Sequence, residues 1–228
     1  MIPTIDEARD WYPENDPVHG FDHALRVLRL AKKIGAAMGA DLEILHAAAL
    51  LHDAVGANPA DDSENGGRAS HEDESADFAC SILEKAGWPE ERIGQVQACI
   101  RSHRFRTEEK PQSLEARILF DADKLDVNGA FGAARTLGYA IQAGQPFYTT
   151  PSKTFLETGR TEPGEAHSAY HEYLFKLRRV RDRLHTPAAR KLAEQRHEVL
   201  VMFFEQLAAE AEGTGEDKII HTVKVQEE

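Results

Sequence analysis

Residues 42–53 of the chain read LEILHAAALLHD. Leu42–Leu51 is rich in alanine and leucine, which predicts a helix buried on all sides. The helix ends on His52-Asp53, and an unpaired carboxylate is costly to bury. Both side chains of a last helical turn can lean toward one ion just beyond the helix, and imidazole with carboxylate suits Mn, Fe, Co, Ni or Zn better than Mg. The alternative is an aspartate that ends the helix beside a hydrogen-bonded core histidine.

The same helical period continues on both sides of this stretch. Apolar residues recur at i, i+3, i+4 and i+7 spacing from Phe21 to Ala31. Further helices are predicted, in chain order, over 70–86, from Pro89, over 113–139, over 165–184 and over 187–210. Only Ile219–Val225 alternates in the manner of a strand. The sequence therefore predicts an all-α, single-domain helical bundle over residues 1–211, followed by a charged, mobile tail over 212–228.

Two segments interrupt the helical pattern. Residues 55–69 (VGANPADDSENGGRA) are rich in Gly, Asn and Asp, which is typical of a surface loop. Residues 141–165 are longer than structureless connections usually are. We therefore expect this second segment to be a lid, a binding loop or a partly ordered excursion.

Composition narrows the function classes. The 228 residues include 39 acidic and 27 basic side chains, for a net charge of -12. No basic stripe is visible, so we do not expect tight binding to a nucleic-acid polymer, whereas a bound cation or a few Arg and Lys side chains could hold a small anionic substrate. Cys80 and Cys99 do not form a CxxC pair and are expected to be packed thiols. The acidic N-terminus and the short apolar stretches predict a cytoplasmic protein without a membrane span.

Two further segments cluster polar side chains at helical positions. Asp16–His23 (DPVHGFDH) opens a helix, and Arg26 follows one turn later, where it can point at a bound oxyanion unless it is a surface arginine. Asp121–Asp126 (DADKLD) places three acids in an apolar helix, where they are out of place without a cation. Asp126 lies one turn beyond Asp123 and is a candidate for orienting a metal ligand.

The order His23…His52-Asp53…Asp123, spread over separate helices, resembles the HD-domain superfamily of metal-dependent phosphohydrolases. The resemblance implies an all-α fold in which these four side chains bind one divalent metal ion (Mn, Mg, Co, Ni or Fe). Further segments are similar to the small bacterial YedJ/YpgQ-like branch, namely Asp16-x-x-His19-Gly-x-x-His23-x-x-Arg26-Val27, His71, His103, Asp121–Asp126, Gly129-Ala-Phe-Gly132-x-x-Arg135, Arg183–Thr186 and Gln195–His197. This likeness covers about residues 10–210 and implies hydrolysis of a nucleotide or a similar small phosphorylated compound.

Departures from other branches of the superfamily narrow the resemblance. The nucleotidase and guanosine-tetraphosphate hydrolase branches place a Glu three positions after the HD aspartate, where this chain has Gly56. The cyclic-dinucleotide branch carries Gly-Lys after HD-x and a GYP triplet, and this chain has neither. Those branches are disfavoured, and the general base must come from elsewhere unless a metal hydroxide suffices.

His71 and His103 extend the resemblance to the six-ligand order of HD proteins that hold two metals, among them phosphodiesterases and diiron oxygenases. We expect one metal per chain rather than two, with both histidines beside the substrate phosphate as acid or donor. The alternatives are a second metal or two histidines on helix surfaces. His167 and His171 are spaced i, i+4 but lack a third partner, so we expect them at the surface.

The hypothesis from the sequence is a divalent-metal-dependent phosphohydrolase that uses a metal-activated water. The expected metal ligands are His23, His52, Asp53 and Asp123. The expected catalytic residues are Asp53, His71, His103 and Arg26. The alternatives are a dinuclear-iron oxygenase and a non-catalytic metal or nucleotide sensor, and the late apolar helices with the tail allow a homodimer.

Overall fold

The computed structural model describes residues 1–12, 20–55, 71–104 and 110–214, apart from the side chain of His71. These residues form ten α-helices and one 3-10 helix, and none of them lies in a strand. In chain order the elements are α1 (Ile5–Arg9), α2 (Phe21–Met38), α3 (Leu42–Leu51), α4 (His71–Lys85), α5 (Glu90–Arg101), α6 (Leu114–Asp126), α7 (Ala130–Gln142), α8 (Lys153–Thr158), α9 (Ala169–Phe175), the 3-10 helix Leu177–Arg183 and α10 (Pro187–Glu212). The all-α fold predicted from the sequence is confirmed.

Helix α3 is the buried helix that its sequence predicts. From Ile44 to Leu51 every residue except His46 is buried. Asp41 caps the start of the helix, and its side chain accepts hydrogen bonds from the backbone N–H groups of Glu43 and Ile44. Helices α2, α5 and α6 pack around it. His52 is the C-cap of α3, so the end of this helix places His52 and the next residue, Asp53, toward the interior.

The helices around α3 complete one large hydrophobic core. In α2 the predicted apolar stripe is buried and extends to Ile34, and Gly39 ends the helix in the left-handed conformation at φ 72°. Helices α4 and α5 pack against each other and close another side. Cys99 is buried in this core and Cys80 is half-buried, and both are free thiols as predicted.

A smaller hydrophobic cluster lies beside the large core. It is built from α7, α9, the 3-10 helix and the later part of α10. Tyr173 and Phe204 stack at its centre, with ring centroids 4.6 Å apart and an interplanar angle of 10°. Leu177 and Leu200 are buried around this pair. Helix α10 contributes residues to both clusters and so connects them.

The prediction of one helix over 113–139 is wrong in its middle. Helix α6 ends at Asp126, and α7 begins at Ala130 after Gly129, which adopts φ 83°. A Cβ atom at Gly132 would lie 2.4 Å from the carbonyl group of Val127, so the chain can turn this tightly only with glycine there. The turn brings the start of α7 back toward the end of α6.

The prediction of one long helix over 165–184 is also wrong. Helix α9 begins only at Ala169, and a 3-10 helix follows it. Glu165 instead accepts hydrogen bonds from the backbone N–H groups of Ser152 and Glu162, both at 2.6 Å, and faces His171 Nε2 at 3.0 Å. His171 is fully buried rather than at the surface, because Glu165 and Ser168 hydrogen-bond both of its ring nitrogens. His167 is partly exposed.

Two other expectations concern the connecting segments and the tail. The long segment 141–165 is ordered in part, because it contains α8. Most of the predicted loop 55–69 and the predicted strand Ile219–Val225 lie outside the described residues. Across the ranges that the structure describes, no helix combines the length and the hydropathy needed to cross a membrane.

Candidate metal centre

Three histidines and two carboxylates meet where α2, α3, α5 and α6 come together. His23 lies in the first turn of α2, and His52 and Asp53 lie at the C-terminal end of α3. His103 follows the end of α5, and Asp123 lies in the last turns of α6. The four predicted metal ligands are therefore brought together, although they come from three separate helices.

The ligand atoms face one another at short range. His23 Nε2 lies 3.3 Å from His52 Nε2 and 3.3 Å from Asp123 Oδ1. Asp53 Oδ2 lies 3.6 Å from His23 Nε2 and 3.5 Å from His52 Nε2. One ligand atom from each of His23, His52 and Asp53 lies within 4.8 Å of the other two. This spacing matches a set of donors that can share one ion.

Each histidine of the centre is oriented by a hydrogen bond at its other ring nitrogen. Nδ1 of His52 lies 2.9 Å from the carbonyl oxygen of Ala49, and Nδ1 of His103 lies 2.5 Å from that of Ile100. A carbonyl oxygen only accepts, so both Nδ1 atoms must donate. His23 Nδ1 has the carboxylate of Asp126 as its partner at 2.8 Å. All three rings therefore turn Nε2, the usual metal-binding atom, toward the centre.

The electrostatics of the centre favour a positive charge between these groups. Burial and the charge of Arg135 lower the pKa of His23, but hydrogen bonds to Asp123, Asp126 and Asp53 outweigh them and raise it to about 9. Burial lowers the pKa of His52 to about 4, so this ring stays neutral. Although burial opposes it, Lys124 and His23 hold the pKa of Asp123 well below its usual value. The carboxylate of Asp123 thus stays ionised beside the histidine nitrogens.

These features fit a divalent cation. The Nε2 atoms of His23 and His52 lie 3.3 Å apart, and two unprotonated nitrogens at that distance repel each other unless a positive charge lies between them. In the metal-free protein a proton on His23 supplies that charge, as its raised pKa indicates. Two imidazole nitrogens with two carboxylates form a donor set suited to Mn, Fe, Co, Ni or Zn.

Asp126 connects the centre to two arginines. Its Oδ2 atom accepts from His23, and the same carboxylate binds Nε and Nη2 of Arg26 at 2.7 and 2.9 Å. Arg135, in α7, donates to it at 2.9 Å. Although burial opposes it, the hydrogen bonds from His23 and Arg26 and the charge of Arg135 hold the pKa of Asp126 far below its usual value. The ionised carboxylate fixes the His23 ring, which is the orienting role expected from the sequence.

Arg26 is more constrained than the sequence suggested. Its guanidinium group is paired with Asp126 instead of pointing freely at the metal ligands. The two hydrogen bonds use Nε and Nη2, which leaves Nη1 available for an anionic group. The side chain is partly buried. Arg26 is therefore not a free surface arginine but a partner of Asp126.

Contrary to the expectation from the sequence, two of the three acids of 121–126 are satisfied without a metal ion. Asp121 accepts from the backbone N–H groups of His185 and Thr186 at 2.8 and 2.7 Å, and so fixes the start of α10. Asp126 is neutralised by arginine. Only Asp123 faces the metal ligands, where Lys124 also contacts it at 2.6 Å.

His103 belongs to the centre, whereas the position of the His71 side chain lies outside the described residues. His103 Nε2 is 3.4 Å from Asp53 Oδ1, and its ring is edge-on to that of His52 at 5.2 Å. Asp53 thus turns one oxygen toward His23 and His52 and the other toward His103. Gly56 also lies outside the described residues.

Tyr12 is a further neighbour of the centre that the sequence analysis did not identify. Its hydroxyl group donates to the carbonyl oxygen of Leu50 at 2.9 Å, in the last turn of α3. Burial and the negative charge of Asp53 raise the pKa of Tyr12 well above its usual value, so the hydroxyl group stays protonated. Tyr12 satisfies one of the free carbonyl groups at the end of α3. No periodicity or spacing marks it, because its partner is distant in sequence.

The family and the relatives that match this chain agree with a metal-binding role for the centre. The sequence profile described as "HD domain" matches residues 20–128, which include all the residues of the centre. The uncharacterized protein YpgQ of Bacillus subtilis (strain 168) is 30% identical over 220 residues, which is 93% of this chain and 96% of YpgQ.

Solved structures are similar over nearly the whole chain. A protein from Lactobacillus plantarum has a TM-score of 0.71 at 26% identity, over 92% of this chain and 95% of its own. YpgQ of B. subtilis in complex with ADP has a TM-score of 0.66 at 29% identity, over 91% and 97%. An HD-superfamily hydrolase from Bacillus thuringiensis has a TM-score of 0.62 at 27% identity, over 91% and 94%. The likeness therefore extends beyond the helices that carry the centre.

Proposed function

Because the chain belongs to the HD-domain family, we propose that it is a divalent-metal-dependent phosphohydrolase. Its substrate in this proposal is a nucleotide or a similar small phosphorylated compound, cleaved at a phosphoester or phosphoanhydride bond. The observation that carries the proposal is the set of inward-facing Nε2 atoms beside the carboxylates of Asp53 and Asp123. The complex of the relative YpgQ with ADP supports a nucleotide as the substrate class.

The proposed roles follow from the contacts of each side chain. The residues that hold the metal are His23, His52, Asp53 and Asp123. A bound divalent cation supplies an acidified water and polarises a phosphoryl oxygen. Asp53 can also accept a hydrogen bond from the attacking water, because its two oxygens face different histidines. His103 Nε2 is placed to give or take a proton on the other side of Asp53.

Positively charged side chains near the centre can neutralise the negative charge of a bound phosphate. Lys124 contacts Asp123, and Arg26 keeps one guanidinium nitrogen beyond its pairing with Asp126. Fixed cations of this kind stabilise the charge that develops on phosphoryl oxygens. His71 is proposed as a further phosphate contact from the sequence resemblance alone.

A phosphate-release screen tests the proposal. Purified protein is stripped of metal, loaded with Mn, Mg, Co or Ni in turn, and assayed with nucleoside mono-, di- and triphosphates. We expect release with at least one pair of metal and nucleotide, and Asp53→Ala should lose both bound metal and turnover, because it removes a carboxylate shared by three histidines. Asp73→Ala, an exposed acid paired with Arg101, is the matched control and should behave as wild type.

Three results would contradict the proposal, and two of them identify an alternative. Full activity of Asp53→Ala would rule out the centre as the site of catalysis. Iron at two atoms per chain together with oxygen consumption would indicate the dinuclear oxygenase. Tight nucleotide binding with no phosphate released under any metal would indicate a sensor.

A further inference from the structure

Phe131, in the first turn of α7, is an aromatic residue with an exposed side chain. Its side chain is 56% exposed, although a phenylalanine is usually buried. One face of the ring is covered, since Cζ of Arg26 lies 4.5 Å from the ring centroid as a cation–π contact. One face of the Phe131 ring is therefore open to solvent, and the guanidinium group of Arg26 contacts the opposite face.

The backbone around Phe131 is held in one conformation. Gly129 adopts φ 83°, and a Cβ atom there would lie 3.1 Å from Cβ of Arg196. Gly132 meets the carbonyl group of Val127 even more closely. The segment Gly129-Ala-Phe-Gly132 thus has little freedom, and the ring has a fixed position relative to α6.

A short series of contacts joins this ring to the metal centre. Arg26, beneath the ring, is bound to Asp126 by two hydrogen bonds, and Asp126 holds His23 Nδ1 at 2.8 Å. Arg135, one turn after Phe131 in α7, contacts the same carboxylate. The exposed ring therefore lies one arginine and one aspartate away from a metal ligand. These contacts fix the Phe131 ring beside the helices α2 and α6 that carry His23 and Asp123.

We propose that the exposed face of Phe131 is the stacking site for the nucleobase of a nucleoside phosphate whose phosphates reach the metal centre. The proposal rests on the proposed function and adds the residue that recognises the non-reacting part of the substrate. A nucleobase is uncharged and flat, so it is attracted to a bare aromatic face and is not repelled by a protein of net charge -12. One ring is sufficient for a base but far too small an area for a docked protein.

Binding measurements on the manganese-loaded protein test this proposal without any need for turnover. The probes are ADP and pyrophosphate, which share a diphosphate but differ in the nucleoside. Phe131→Ala should weaken ADP binding by about 5- to 150-fold, the range expected when one stacked base loses its platform. Pyrophosphate binding should change less than about twofold, and Phe131→Trp should retain or improve ADP binding. Phe147→Ala, which removes another exposed phenylalanine outside the α6–α7 turn, is the matched control.

Each outcome separates the stacking site from other roles of the ring. An equal loss of ADP and pyrophosphate binding would mean that Phe131 acts by supporting Arg26, and the stacking proposal would be wrong. Unchanged ADP binding in Phe131→Ala, or no ADP binding by wild type, would also overturn it. The phosphate-release screen fails or succeeds independently, so a protein that binds ADP through Phe131 without cleaving any nucleotide would refute the proposed function and retain the stacking site.

Discussion

At the scale of single residues, Asp126 supports the centre although it is not one of the proposed metal ligands. It accepts from His23 and from two guanidinium groups, and it is almost completely buried. A buried charge is tolerated when it is paired and fully hydrogen-bonded, and removing one member leaves the others exposed to the low-dielectric interior. The orientation of His23 and the charge balance of Arg26 and Arg135 therefore depend on the same side chain.

Asp126→Asn should lower the affinity for manganese by about 10- to 100-fold, the usual effect of losing a carboxylate behind a metal-binding histidine. The amide preserves the shape of the side chain but removes its charge, so two arginines lose their counter-ion. Isothermal titration with manganese on the metal-free variant measures the effect. Asp73→Asn makes the same chemical change at an exposed pair with Arg101 and should leave affinity unchanged. Wild-type affinity in Asp126→Asn would show that His23 is oriented without this charge.

The sequence was sufficient to predict which side chains meet at the centre but not all of their partners. His52 and Asp53 stand out because a polar pair ends an apolar helix, and Asp123 because acids interrupt another. The pairing of Arg26 with Asp126 spans 100 residues, and no local pattern encodes it. Likewise Glu165 and His171 form their bond across a loop, so an i, i+4 reading of His167 and His171 misplaced the second histidine at the surface.

At the scale of helices, apolar periodicity predicted where most of them lie and failed where the chain turns sharply between apolar residues. The segment around Val127 continues the apolar pattern of α6 into α7, so periodicity alone extends one helix through it. The signal that marks the break is the pair Gly129 and Gly132, whose roles are a positive φ angle and a close approach to the Val127 carbonyl group. Both requirements come from tertiary packing and cannot be read from hydropathy.

Gly132→Ala should lower the free energy of unfolding by about 2 kcal/mol or more, because its Cβ atom would overlap a backbone carbonyl group that cannot rotate away. Urea denaturation followed by circular dichroism measures the change. Gly94→Ala is the matched control in α5, where nothing lies within 4 Å of the added atom. That substitution should raise stability by about 0.5–1 kcal/mol through helix propensity. Equal stability of the two variants would mean that the turn adapts, contrary to the geometry.

At the scale of the whole molecule, the helices of the large core carry the candidate metal centre, so we expect a bound metal ion to raise global stability. The core contains Cys99, which is fully buried, and burial raises the pKa of its thiol to about 12. A thiol in that state is inert toward alkylation and disulfide reagents because almost none of it is thiolate. It can react only when the core opens.

In a Cys80→Ser background, Cys99 should therefore react with Ellman's reagent only as fast as the protein unfolds. Manganese at about 100 times its dissociation constant should slow this reaction about 100-fold, because a ligand that binds only the native state stabilises it by mass action. Asp53→Ala should react at the same rate with and without manganese. Equal protection of wild type and Asp53→Ala would place the stabilising metal outside the proposed centre.

The hydrogen bonds at the Nδ1 atoms make the centre unequally vulnerable to mutation. His52 and His103 are each aimed by a carbonyl group of their own helix, three residues earlier, and no side-chain substitution can delete that acceptor. His23 relies on a side chain from another helix. Substitutions in the surrounding core therefore leave His52 and His103 oriented as they are, whereas a single substitution at Asp126 can misorient His23. Inactivating substitutions away from the ligands should concentrate at that position.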